Sequence, residues 1–190
     1  MKERGEERTL ESRRIYQGQV VSLRVDTVSL PGGRVIRREI VEHRSAVAIV
    51  PLDGAGNILM VRQFRRAAGV ILLEVPAGLV EEGETIEDGA HRELAEETGY
   101  RAGRLEKLAG FYSAPGFCTE FLNVFLATEL TPGTPHTEAD EDIEAVWMPL
   151  PRIRELIASG EVRDAKSVAG LMLALDRLEH PLLWPSMSAK

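Results

Sequence analysis

Gly78-Leu-Val-Glu-Glu-Gly-Glu84, followed after seven intervening residues by Arg92-Glu93-Leu94-Ala95-Glu96-Glu97-Thr98-Gly99-Tyr100, holds the densest chemistry in the chain. Thr85 with Asp88 three residues later reads as a near-capping box that opens a helix. Gly99 suits the left-handed position just past its end. Within that helix Glu93, Glu96 and Glu97 stand at i, i+3 and i+4, neighbours on one face. Like charges so placed repel, and they lie near the C-terminal end, where the helix dipole disfavours anions. Each of these terms is worth a few tenths to about 1 kcal/mol. Their coincidence calls for a counter-charge, and a divalent cation with hard oxygen ligands is the natural one. Helix phase adds direction. Ile86, Ala90 and Leu94 form the apolar stripe; Glu93 and Glu97 fall at or beside it, while Glu87, His91 and Ala95 lie on the outer side. The acids therefore point toward the body of the protein, unlike those of a solvated charged helix. Arg92 is within reach of Glu84 or Glu96, as a structural ion pair.

Outward from this segment, the rest of the chain alternates strands and helices. Val21, Leu23 and Val25 alternate with polar residues, Pro31-Gly32-Gly33 turns, and Val35 to Glu42 returns, which predicts a β-hairpin. Residues 1–11 are charged and read as a frayed end. Ser45 to Leu52 is nearly all apolar, the pattern of a strand buried on both faces. Further strands are expected at Ile58–Gln63, Val70–Val75, Leu105–Phe111, Phe121–Thr128 and Ile143–Met148, with a tight loop around Pro76-Ala77-Gly78. Helices are expected at Pro151–Ser159 and Ala165–Leu178. The mixture predicts an α/β fold, a three-layer α/β/α sandwich around a mixed sheet, preceded by the N-terminal β-hairpin segment.

Composition excludes several classes of function. The 190 residues, 44% hydrophobic, suffice for one compact domain with short appendages. A net charge of −7 argues against a protein that coats nucleic acid. The one cysteine, Cys118, forms no internal disulfide and reads as a small apolar loop residue; the four histidines show no metal-ligand spacing. No apolar run approaches a membrane span and the charged N-terminus is no signal peptide, so the cytoplasm is the expected location.

The spacing Gly78, Glu84, then Arg92-Glu93-Leu94-x-Glu96-Glu97-x-Gly99 and a large apolar residue resembles the Nudix hydrolase box, with Tyr100 where the family more often has an aliphatic residue. The resemblance implies hydrolysis of a nucleoside diphosphate linked to another moiety, with Mg²⁺ or Mn²⁺, on the same α/β/α fold. It implies Glu93 and Glu97 as direct metal ligands, Glu96 as a ligand to the metal or its water, and the carbonyl of Ala77 as a further ligand. Phe111-Tyr-Ser-Ala-Pro-Gly-Phe-Cys-Thr-Glu120, with Pro115 sixteen residues after Gly99, is similar to the ADP-ribose pyrophosphatase branch. Val61-Arg-Gln-Phe-Arg65, Leu73-Glu-Val-Pro-Ala-Gly78 and the acidic run Glu138–Ile143 before Val146-Trp147 extend that likeness over about residues 12 to 178. Residues 1–43 would then form an N-terminal arm that builds a homodimer, 44–180 the catalytic domain and 181–190 a C-terminal tail.

The remaining roles follow from the same resemblance. Pyrophosphate cleavage needs an in-line water, a base and neutralisation of phosphate charge. Glu141 is the candidate base and a metal ligand, with Glu138 as the substitute because Ala139 occupies the place where some relatives carry their base; by itself the run also reads as a solvated acidic loop. Arg38 and Arg65 would contact the nucleotide-sugar substrate, an arginine fork suiting phosphate, although Arg37, Arg62 and Arg66 stand nearby. Glu120 would meet the terminal ribose or else is an exposed edge acid. Three functions stay open at this point: hydrolysis of ADP-ribose to AMP and ribose 5-phosphate, a Nudix hydrolase of other nucleoside diphosphate sugars or nucleotides, and a non-catalytic nucleotide-binding regulatory module.

Overall fold

The structure, a computed structural model, describes residues 6–134 and 142–184. They divide into two units: residues 6–45 with 112–121, and residues 46–111 with the described residues from 122 onward.

The first unit is a three-stranded antiparallel sheet, β1 (Arg8–Gln17), β2 (Val21–Ser29) and β3 (Val35–His43), in the order β1-β2-β3. β2 and β3 are the expected hairpin. The turn between them needs positive φ at Gly32 (99°) and Gly33 (87°), and the Gly33 N–H closes it on the Leu30 carbonyl at 2.9 Å. β1 corrects the reading of the N-terminus as frayed, since Arg8, Thr9 and Glu11 already pair with β2. The strand has no buried face to betray it; all ten residues are exposed. Polar links hold it instead. Ser12 donates to the buried Asp26 carboxylate at 2.6 Å, and Arg14 pairs with Glu42 at 2.8 Å. Residues of the 112–121 segment return to the β3 edge: the Val41 N–H donates to the Phe117 carbonyl (2.7 Å) and the Thr119 N–H to the Val41 carbonyl (3.0 Å).

The second unit is an α/β/α sandwich. Its central mixed sheet has the order β7-β4-β9-β8, from β7 (Ala77–Leu79), β4 (Ala46–Pro51), β9 (Phe121–Pro132) and β8 (Tyr100–Tyr112). β4 runs parallel to β9 and antiparallel to β7. All six residues of β4 are buried, and their period of two assigns them to opposite layers. Ala48 and Val50 join the core built with Ile153 and Leu156 of α2 (Ile153–Ala158) and Leu171, Ala174 and Leu175 of α3 (Ala165–Glu179). Val47 and Ile49 join the core built with Ala90 and Leu94 of α1 (Ile86–Thr98). Gly170 lets α3 come close: a Cβ there would lie 3.3 Å from Val124 and 3.4 Å from Val50. A second, antiparallel sheet, β10-β5-β6, comprises β10 (Ile143–Pro149), β5 (Asn57–Arg65) and β6 (Val70–Glu74). Its Ile58, Met60 and Leu73 enter the α2/α3 core.

Smaller differences from the sequence reading have local causes. The expected loop at Pro76–Gly78 is partly strand, because Ala77 and Gly78 pair with Ala48 and Val47. The helix expected from Pro151 starts as a tighter 3₁₀ turn over Leu150–Arg152, with proline in its first turn, before α2. β8 begins at Tyr100, immediately after the helix cap. Tyr100, the departure from the aliphatic pattern, packs edge-on against Trp147 with ring centroids 5.5 Å apart. Among the described residues no helix is long and apolar enough to cross a membrane.

Candidate active site

α1 is fixed at both ends by its own sequence. Thr85 accepts the Asp88 N–H at 3.1 Å, and Gly99 adopts φ 75° with its N–H donating to the Ala95 carbonyl at 2.9 Å. With Ala90 and Leu94 fully buried, phase sets the exposure of the acids. Glu97 is 6% exposed. The Glu93 side chain is 12% exposed and that of Glu96 40%. The inward pair expected from phase is therefore Glu93 and Glu97, with Glu96 at the rim.

β7 meets this face. The Ala77 N–H donates to Glu97 Oε2 at 3.1 Å, so the residue expected to offer its carbonyl to a metal also anchors one of the carboxylates. A Cβ built on Gly78 would overlap the Glu93 carboxylate. Glycine at 78 thus answers the close approach of a charged group rather than a positive φ.

Arg92 organises the other side of the cluster. Its Nε and Nη2 donate to the two oxygens of Glu84 (2.9 and 3.0 Å), and Nη2 also donates to the Leu79 carbonyl (2.8 Å). Its Nη1 donates to Glu93 Oε1 (2.8 Å) and Glu96 Oε2 (2.9 Å). The Glu84 bond, opposed by burial and helped by Glu93 and Glu96, raises the guanidinium pKa well above its ordinary value. Glu84 is correspondingly lowered, chiefly by its hydrogen bond to Arg92. The structural ion pair expected of Arg92 is a hub with three carboxylates and one carbonyl.

These residues fit a divalent cation by the chemistry of the donor set. Three carboxylates and a neighbouring carbonyl are hard oxygen donors of the kind Mg²⁺ and Mn²⁺ take. Gly78 leaves room only for the Glu93 carboxylate, a cradle that a methyl group would fill. Among the described residues no three such side chains are already gathered in coordinating geometry. Glu93 and Glu96 both accept from Arg92. Arg92 is shared among Glu84, Glu93 and Glu96.

Arg65, expected to face substrate, is engaged by a buried carboxylate. Its Nε and Nη2 donate to Glu74 Oε2 at 3.0 and 2.6 Å. Lys166 Nζ reaches the same oxygen at 2.6 Å and Asp164 Oδ1 at 3.0 Å. Glu74 is 1% exposed. Burial pushes its carboxyl up, but the bonds and charges of Arg65 and Lys166 outweigh burial and leave it below the usual carboxylate value. Burial also opposes the charge on Arg65; Glu74 reverses this, and Glu97 and Asp164 act on it through space in the same sense. Sequence reasoning missed Glu74 and Lys166 as a pair because 92 residues separate them.

In the first unit, Arg38 is exposed on β3 and is held by both oxygens of Glu7, with Nε to Oε2 at 3.1 Å and Nη2 to Oε1 at 2.5 Å. Glu120 lies 3.4 Å from His43 Nδ1, and its N–H points at the Cys118 sulfur at 3.5 Å. Glu138 and Glu141 lie outside the described residues.

Comparison with known proteins identifies the family. The NUDIX domain profile matches residues 42–171, and the profile described as the nucleoside diphosphate sugar hydrolase N-terminal domain matches residues 7–41. The chain is 44% identical over 164 residues to an ADP-ribose pyrophosphatase of Bacillus subtilis (strain 168), covering 85% of this chain and 89% of that protein. It is 40% identical over 167 residues to an ADP-ribose pyrophosphatase of Mycobacterium tuberculosis, covering 86% and 81%. The fold is shared with a solved structure titled as an ADP compounds hydrolase, at a TM-score of 0.84 and 23% identity, covering 96% of this chain and 99% of that one. Acids inward on α1, glycine pressed against one of them, and a profile match across most of the chain place this protein in the NUDIX family.

Proposed function

We propose that the protein hydrolyses the pyrophosphate bond of ADP-ribose, giving AMP and ribose 5-phosphate. The observation that carries this reading is the convergence of Glu93 and Glu97 on Ala77 and Gly78. Support for this substrate comes from the two ADP-ribose pyrophosphatases that the chain matches over most of its length.

Water adds across one P–O bond of the diphosphate: its oxygen goes to phosphorus, its proton to a base, and the bridging oxygen leaves with the other phosphate. Glu93, Glu97 and the Ala77 carbonyl would hold Mg²⁺, with Mn²⁺ as a substitute, and Glu96 would assist from the rim. When bound, the ion neutralises diphosphate charge and acidifies the attacking water. Glu141 takes the proton and adds a ligand, or Glu138 takes the proton in its place. Arg65 offers positive charge to phosphate beside these acids, Arg38 is a second phosphate contact, and Glu120 binds the terminal ribose. KM for ADP-ribose measured on Arg38→Ala, Arg65→Ala and Glu120→Gln reads each assignment separately; an unchanged KM removes that residue from the substrate.

Product analysis is the direct test. With Mg²⁺, ADP-ribose should yield equimolar AMP and ribose 5-phosphate, and chelation should abolish turnover. Preferred hydrolysis of nucleoside triphosphates would reject the proposal. A second reading, wider action on nucleoside diphosphate sugars, is favoured by the N-terminal match at residues 7–41; ADP-glucose and GDP-mannose in the same panel decide between the two.

The N-terminal sheet is proposed to pair with a second copy of the chain. Leu10, Ile15 and Tyr16 of β1 are 48%, 46% and 59% exposed, an apolar load that a covering surface would relieve. Light scattering should give twice the 21.0 kDa chain mass, and a monomer at micromolar concentration would end this part of the reading.

A further inference from the structure

We propose that Lys166 is a positioning residue for this hydrolysis and that it acts through Glu74 on Arg65; the inference rests on the reading of Arg65 as a phosphate contact. Three elements meet at one carboxylate: Glu74 ends β6, Arg65 ends β5, and Lys166 lies in the first turn of α3. Glu74 is buried, so its charge must be matched within the protein. Arg65 alone would match it, but a guanidinium fully paired with a buried carboxylate has little positive field to offer a phosphate. Lys166 shares the same oxygen, 2.6 Å away. It takes up part of the Glu74 charge; with Asp164 also on Lys166 the four groups balance, and without Lys166 two carboxylates would outnumber Arg65, whose side chain is 36% exposed and feels Glu97.

The anchoring of Lys166 is itself specified. Asp164 caps α3 by accepting the Ser167 N–H at 3.1 Å and holds Lys166 Nζ at 3.0 Å. Ser167 Oγ in turn accepts the Val75 N–H at 2.8 Å in a buried site, tying the first turn of α3 to the chain just after Glu74. The start of α3 therefore fixes both the orientation of Glu74 and the point from which the chain runs to Ala77. This linkage predicts that removing the Lys166 charge weakens substrate binding without touching the acids of α1.

The test is a double-mutant cycle on Lys166→Met and Arg65→Ala. It reads KM and kcat for ADP-ribose, and Kd for its α,β-methylene analogue by calorimetry in the presence of Mg²⁺. Lys166→Met should raise KM and Kd about tenfold, within the range for misplacing a group that positions substrate. The same change made on Arg65→Ala should cost less than twofold. Lys166→Arg should restore binding to within about threefold, and Lys166→Gln, which keeps a hydrogen bond but not the charge, should behave like Met. Gln also serves if the Met variant does not fold. Equal losses for Lys166→Met in both backgrounds, or unaltered binding in Lys166→Met and Lys166→Gln, would overturn the proposal while leaving ADP-ribose hydrolysis intact. Unchanged Kd in Arg65→Ala instead sinks the phosphate role of Arg65 and the proposal with it. Absence of turnover in the unaltered enzyme sinks the substrate assignment.

Discussion

Glu97→Gln should lower kcat by on the order of 10³-fold, the size of effect seen when one preorganised electrostatic partner is deleted from an active site, while the protein stays folded. The substitution is nearly isosteric, and glutamine keeps an oxygen that can accept the Ala77 N–H, now at 3.1 Å from Glu97. The joint between β7 and the end of α1 therefore survives. What goes is the negative charge at the most deeply placed of the three acids. A melting temperature close to that of the unaltered protein, together with weakened uptake of Mn²⁺ in calorimetry, would locate the loss in the site rather than in the fold. Near-normal turnover in Glu97→Gln would remove Glu97 from the chemistry.

Gly78→Ala should be the most damaging single-methyl change, with activity reduced about 10²-fold, as for a catalytic group displaced by an ångström or so. Most Gly→Ala changes at ordinary backbone angles are neutral or mildly stabilising, because alanine loses less freedom on folding. Gly78 lies in a short strand and is not among the positive-φ glycines, so its backbone admits alanine. The new methyl would occupy the space of the Glu93 carboxylate. That group is the tip of a flexible side chain and can swing aside at small cost to folding. The expected signature is thus a loss of turnover and of metal affinity without a comparable loss of melting temperature. A variant with full activity would mean that the position of the Glu93 carboxylate does not matter; a variant that simply unfolds would mean that the crowding falls on the backbone.

How much of this was legible beforehand varied with the kind of signal. The bounds of α1 could be read from Thr85 and Gly99 because capping is a local contract between a side chain and nearby backbone. The inward turn of Glu93 and Glu97 followed from phase alone, and the complete burial of β4 followed from its unbroken apolar run. β1 was not legible, since a strand exposed along its whole length carries no period-two apolar face and is held by polar links to Asp26 and Glu42. The start of β7 was masked by Pro76 and Gly78, residues that locally signal a turn. The Glu74–Lys166 contact joins positions with no local relation and could come only from the packing of α3. The acidic cluster was read as demanding a metal ion; Arg92 already meets part of that demand, which the reading of it as one ion pair undercounted.

The bonding of Arg92 has a consequence for how the site changes state. One flank of the guanidinium is moored to Glu84 and the Leu79 carbonyl; the other, Nη1, holds Glu93 and Glu96. The second flank can let go while the first keeps the planar group where it is. The arginine thereby works as a placeholder: a single nitrogen bridges two mutually repelling side chains, and on the proposed function a bound cation would take them over while the guanidinium stayed moored. On that reading, release from Nη1 would ask for rotation of two carboxylate tips and leave the bonds to Glu84 and Leu79 in place.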